Sequence, residues 1–235
     1  MLREGLGARE AGSRGLRGRV GGAMDIERLH DRWNGLCSRI GAFDHAGDGD
    51  MTFDLLASLY ATPAREYHNL EHITSCLAVF DAVRMLAEER DAVEFALWVH
   101  DAVFNAARPD NEARSADAAG MIAALLGCAP DFVERVRGFI LATRHDEDPE
   151  PGDAALVADI DLSVLGAEWG EYRAYVERIE REFSFGGPEL FAQGRAAFLE
   201  RMVAKRWVYA TPYFRKEYEK RARENLQREL DALMG

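Results

Sequence analysis

Three short stretches of this 235-residue chain concentrate side chains able to do metal or acid–base chemistry. His68 and His72 stand four apart in YHNLEH, a spacing that puts both on one face of a helix. His100 and Asp101 are adjacent in ALWVHDAVF, amid Phe95, Leu97, Trp98, Val99 and Val103. Asp159 and Asp161 lie in LVADIDLSVLG. An imidazole and a carboxylate in an apolar segment are costly to bury without partners. A shared divalent cation satisfies both, since both donor types suit such ions. The chemistry is then the lowering of a water's pKa from 15.7 to as low as about 7. Asp159 and Asp161 point in different directions on a helix, so one of them at most meets the histidines directly.

The elements that position these residues read as helices throughout, with no alternating strand run. Helices are expected over about 25–43, 52–60, 70–89, 91–104, 110–126, 130–144 and 154–165. A further one carries Tyr172, Tyr175, Val176, Ile179 and Phe183 on one face, and the last two span about 189–209 and 212–234. Asn69, Asp91 and Asp110 are candidate N-caps. Pro63 ends a helix and Pro130 opens one. The breaks are Asp44–Asp50, Ala106–Pro109, the acidic His145–Asp153 loop and Gly186-Gly187-Pro188.

Composition narrows the function classes. With 48% hydrophobic and 30% charged residues, the chain fits one globular domain with a sizeable core. The first 23 residues hold five arginines and two glutamates, a local +3, which leaves −15 on the rest of a −12 chain. That acidic body disfavours a nucleic acid polymer or an anionic membrane as partner. A small phosphorylated metabolite remains compatible, because a local ion outweighs the global field. Residues 1–23 are rich in Gly and Arg, lack an apolar h-region and are expected to be a disordered extension. Two readings fit them: a start codon mis-assigned upstream of Met24, or a transit peptide. Three scattered cysteines, Cys37, Cys76 and Cys128, without a C-x-x-C pair, point to a reducing cytoplasm.

The ordered set His72, His100-Asp101, Asp161 resembles the signature of the HD-domain phosphohydrolase superfamily. The longer strings YHNLEHI, WVHDAVF, DNEARSA, DIDLSVLG and YATPYFRKEYEKRARENL are similar to its subfamily of predicted metal-dependent phosphohydrolases. The resemblance implies an all-α, single-domain HD-type helical bundle over 24–235. It implies His72, His100, Asp101 and Asp161 as ligands of a divalent ion (Mn, Fe, Co, Ni, Mg or Zn). The DLS string after Ile160 also resembles the last-ligand segment of cyclic-nucleotide phosphodiesterases, which share the fold. In those enzymes the equivalent of His68 is a general acid. One departure is Asn105, where related sequences often carry Asp.

The reaction so implied is metal-dependent hydrolysis of a phosphate ester or phosphoanhydride, with a nucleotide as leading substrate. Glu112 is a candidate for positioning the attacking water, or is an acid suited to a helix N-terminus. His145, Arg144, Lys205 and Arg223 are candidates for holding substrate phosphate. Their alternatives are a solvated loop histidine, surface cations and, for Arg223, pairing along the last helix. Arg206 and Asn225 belong to the same weaker group. Other HD-fold proteins are di-iron oxygenases, which would need His68 or His145 as added ligands. A non-catalytic binding module is the third class, disfavoured because all four ligand positions are intact.

Overall fold

The computed structural model describes residues 25–41 and 48–234, so the expectations for residues 1–23 and for the first part of the Asp44–Asp50 break lie outside the described residues. Those described fold as eleven α-helices and four short 3-10 turns, with no strand among them. The chain is an all-α single domain around one core.

The first helix, α1 (Ile26–Ile40), starts at Asp25, whose carboxylate accepts the Arg28 N–H at 3.1 Å. It buries Leu29, Trp33, Leu36 and Cys37, a stripe at helical spacing. The Trp33 indole donates to the Thr52 hydroxyl of α2 (Asp48–Tyr60) at 3.0 Å. Asn69 caps α3 (Leu70–Val83) by accepting the Glu71 N–H at 2.9 Å. Next comes α4 (Arg90–Val99), buried without interruption from Ala92 to Val99. Such a helix has no solvent face and must be central. It packs against α1, α3, α5 (Asn111–Leu125), α6 (Pro130–Leu141) and α7 (Asp153–Asp161). The remaining elements, α8 (Trp169–Glu182), α9 (Gly187–Ala204), α10 (Pro212–Glu217) and α11 (Glu219–Met234), close one side, with α9 against α11.

Several boundaries differ from the sequence expectation: α2 starts at Asp48, α3 ends at Val83, α9 ends at Ala204, and Glu89 rather than Asp91 stands at the N-cap of α4. The helix expected to run through Phe104 ends at Val99, so His100 is its C-cap and Asp101 lies in the turn beyond. The Asp101 and Ala102 carbonyls are taken there by Arg65, and both the Val103 N–H and carbonyl by the Ser115 hydroxyl. The helix expected over 212–234 is broken at Tyr218. Glu219 accepts the N–H groups of Val208 and Tyr209, which anchors the start of α11 to the preceding loop. Asp110 stands at the N-cap of α5 as expected, but its carboxylate pairs with Arg108 at 2.7 Å instead of accepting a helix N–H.

Gly166 ends the turn that follows α7. A Cβ there would come within 2.8 Å of the Tyr218 Cβ and 3.0 Å of the Tyr209 hydroxyl. Only glycine lets the end of this segment approach α11 so closely.

Candidate metal centre

Three segments bring their polar ends to one buried point. Helix α3 supplies His72 in its first turn, the end of α4 supplies His100 and Asp101, and the last residue of α7 is Asp161. The Nε2 atoms of His72 and His100 are 3.2 Å apart. Asp101 Oδ2 lies 3.5 Å from His72 Nε2 and 3.2 Å from His100 Nε2. Asp161 Oδ1 lies 3.1 and 3.5 Å from the same two atoms. Both imidazoles are buried and the two carboxylates nearly so.

His100 shows which atoms face the centre. Its Nδ1 is 3.0 Å from the Leu97 carbonyl, an acceptor, so Nδ1 carries the proton. In the neutral ring the lone pair is then on Nε2, pointing at the two carboxylates and His72. Lone pairs and anionic oxygens this close repel each other unless a cation or protons lie between them. Burial works against the His100 imidazolium, but Asp101 and Asp161 hold its pKa well above the ordinary range. Burial would likewise raise both carboxyls, yet the histidines hold Asp101 and Asp161 below it. The spacing also fits an ion. Donors about 2.1 Å from one cation stand roughly 3.0–3.4 Å apart in octahedral or tetrahedral geometry.

Cys76, one turn after His72, joins the cluster; it was absent from the candidates read from the sequence. His72, Cys76, His100 and Asp161 each place a donor atom within 4.8 Å of the others, a group that can hold a metal ion. The sulfur is 3.8 Å from His72 Nδ1 and 3.7 Å from Nε2. Near-equal distances to both ring nitrogens put it off the Nε2 lone-pair axis, whereas Asp101 Oδ2 lies 3.5 and 3.2 Å from the Nε2 atoms of His72 and His100. Burial, reinforced by Asp161 and Asp101, pushes the Cys76 thiol well up. The spacing of four from His72 was the available signal.

His68 lies beside this cluster, its ring centroid 6.0 Å from that of His72. Its Nδ1 bonds to Glu182 Oε1, and the other oxygen of Glu182 accepts the backbone N–H of Tyr67 at 2.8 Å and of His68 at 3.0 Å. The imidazole stacks on Phe104, centroids 4.2 Å apart. Burial alone would lower the His68 pKa, but Asp101, Glu182 and Asp161 outweigh it and raise the value. Burial likewise works to raise Glu182, and His68 with the two N–H donors brings it below the ordinary range. Glu182 was missed in the sequence, although it continues the Tyr172, Tyr175, Ile179 stripe three residues on. An acid on the buried face of a helix was the clue.

Asp159 and Asp161 separate as their spacing requires. Asp161 reaches the cluster, while Asp159 accepts the Ala210 and Thr211 N–H groups, each at 2.7 Å. The second oxygen of Asp161 is 2.8 Å from His145 Nε2. His145 is no solvated loop residue: its side chain is 13% exposed and its backbone is left-handed, φ 56°. Such a conformation is unfavourable outside glycine and is upheld here where it aims a ring at Asp161. Glu112, in the first turn of α5, is half-buried. Burial raises its carboxyl, with Asp101 and Asp161 adding to the effect.

The remaining candidates are engaged elsewhere. Arg144 pairs with Asp146 at 3.0 Å on the surface, and Lys205 reaches Asp148 at 3.4 Å. Arg223 donates to Glu219 and to the carbonyls of Val203, Lys205 and Arg206, closing the end of α9 rather than reaching the cluster. Asn225 donates to the Leu165 and Ala167 carbonyls. Arg206 is exposed.

No protein-family model matches the chain, and no match was found among curated proteins or solved structures.

Proposed function

We propose that the protein is a metal-dependent hydrolase of the HD superfamily acting on a phosphate ester or phosphoanhydride of a small metabolite, a nucleotide foremost. The observation that carries this reading is the convergence of four donors on one buried point, with His68 beside it and backed by Glu182. His72, His100, Asp101 and Asp161 would hold the ion, their two carboxylates matching its double charge. Bound there, a divalent cation supplies Lewis acidity toward a phosphoryl oxygen and makes a water acidic enough to react near neutral pH.

The chain's own residues do the rest. With Nδ1 bonded to Glu182, the His68 imidazolium keeps the proton on Nε2 for a leaving-group oxygen. Stacking on Phe104 fixes the plane from which that proton is delivered. His145 holds Asp161 Oδ2 and so orients Oδ1 toward the histidines. Glu112 is available to orient water. The acidic body steers away nucleic acid polymers, and no helix among the described residues is long and apolar enough to cross a membrane. The free cysteines suit a reducing cytoplasm.

The test is a hydrolysis screen of phosphomonoesters, cyclic phosphodiesters and nucleoside polyphosphates, with Mn, Co, Ni, Mg, Zn and Fe(II) supplied separately. Turnover with at least one ion is expected. Stoichiometric metal without turnover on any class would overturn the hydrolase. The proximity of His145 to Asp161 favours one second reading, a di-iron oxygenase in which His145 is a further ligand. Two irons per chain and near-ultraviolet absorption after aerobic purification would select it.

A further inference from the structure

Arg65 is a buried cation held by an unusual set of partners. Its NH1 donates to the His68 carbonyl at 3.0 Å and to the Asp101 carbonyl at 2.6 Å, and its NH2 to the Ala102 carbonyl at 2.9 Å. Its guanidinium lies 5.2 Å from the centre of the Tyr60 ring and 5.6 Å from that of Phe104, the ring on which His68 stacks. Among the described residues no carboxylate forms an ion pair with it. The other deeply buried arginine, Arg195, is paired to Glu229. Burying a guanidinium against neutral carbonyls is a poor way to gain stability, because desolvation is offset only by hydrogen bonds. The acceptors indicate a different use. One belongs to the segment carrying His68 and His72, the other two to the turn carrying His100 and Asp101.

We propose that Arg65 is a positioning residue that holds these two arms in register, so that the donors of α3 and of the turn after α4 meet at one point. A single nitrogen, NH1, bridges the arms directly. The turn depends on such a tie: α4 has ended at Val99, and the Asp101 and Ala102 carbonyls have no helical partner. Arginine suits the task because its rigid fork meets acceptors spread over two segments, which a lysine ammonium does as a single point.

The proposal rests on the metal-centre reading, and the experiment separates the two. Co(II) is titrated into the full-length protein, Arg65→Met, Arg65→Lys and a control, Leu199→Ala, and followed by visible absorption. Leu199 is buried in α9, which contributes no residue to the cluster. Arg65→Met should bind Co(II) about 10–100-fold more weakly, as expected for a lost outer-shell partner. Arg65→Lys should fall between it and wild type. Leu199→Ala should melt earlier with its Co(II) affinity intact. The rise in Tm on adding Co(II) should shrink in both Arg65 variants and persist in the control. Wild-type affinity in Arg65→Met, or in Arg65→Lys if the first variant does not fold, overturns the proposal. A wild-type protein that binds no Co(II) instead overturns the metal centre itself.

Discussion

Two of the places where the molecule buries charge balance it in opposite ways. On the side closed by α8, α9 and α11, Arg195 meets Glu229 through two hydrogen bonds of 2.8 and 3.0 Å. The Tyr175 hydroxyl accepts from Arg195 at 3.0 Å, and the Tyr172 hydroxyl donates to Glu229. Every charge there has its opposite within the protein. At the meeting point of α3, α4 and α7, two carboxylates face two imidazoles, and no arginine or lysine side chain among the described residues closes the set. The first cluster is complete as folded, whereas the second balances only by taking up protons or a cation. Burial alone therefore does not mark a functional site. A buried site whose charge is balanced only by something that can come and go does.

The comparison breaks most severely if the second cluster needs no cation. His100→Ala, Asp101→Ala and Asp161→Asn should each abolish stoichiometric metal binding while retaining most helicity, measured by metal analysis and circular dichroism. Near-stoichiometric metal in all three would place both clusters in the same structural class. His68→Gln probes the edge of the cluster. Removing a proton donor costs about 10²–10⁴ in rate, and metal content should hold. The loss should be smaller on p-nitrophenyl phosphate, whose leaving group needs little protonation. Equal losses on alkyl and nitrophenyl esters would leave His68 without the acid role.

Arg195→Met tests the opposite half. Leaving Glu229 buried and unpaired should cost about 3–5 kcal/mol of stability, read by denaturant unfolding, with metal affinity of the folded protein unchanged. Replacing both partners, Arg195→Met with Glu229→Leu, should recover much of that loss. A single variant as stable as wild type would mean that the pair is not the closed unit its geometry describes.

Only one side of this contrast, the cluster of His72, His100, Asp101 and Asp161, was legible in the sequence. The apolar settings of His100-Asp101 and Asp161 marked them as residues needing a partner, and the spacing of Asp159 and Asp161 foretold that they diverge. The helical periodicity located α1, α5 and α6 to within a few residues, and the start of α3. What stayed hidden depends on long-range contacts. Nothing local ends α4 at Val99; beyond it the polar groups of the turn are taken by Ser115 and by Arg65, which nothing in ATPAREYHN singles out. Glu182 acts on His68 from 114 residues away. Arg223 reads as a pocket residue until its carbonyl partners are seen, and no pattern in ATRHDED signals that His145 turns left-handed to meet Asp161.

The finest test lies within α7, where Asp159 and Asp161 divide the two kinds of balance over two residues. Asp159 is satisfied internally, by the Ala210 and Thr211 N–H groups that lead into α10. Asp159→Asn keeps one acceptor and turns an amide N–H₂ toward the other donor. The cost should be about 1–3 kcal/mol, with metal affinity left at the wild-type value. The carboxylate also has a pH signature. Burial is the largest influence and raises its pKa, while the hydrogen bonds from Thr211 and Ala210 only partly offset this. The folded state therefore binds this proton more tightly than the unfolded chain. As pH rises from the ordinary carboxylate range through the raised value, wild type loses that contribution. Asparagine does not titrate, so the stability gap between wild type and Asp159→Asn should narrow across this window and then stay constant. Urea unfolding of both proteins at several pH values measures it. A gap that widens with pH would contradict the assignment, and a loss of metal from Asp159→Asn would move it into the cluster its neighbour occupies.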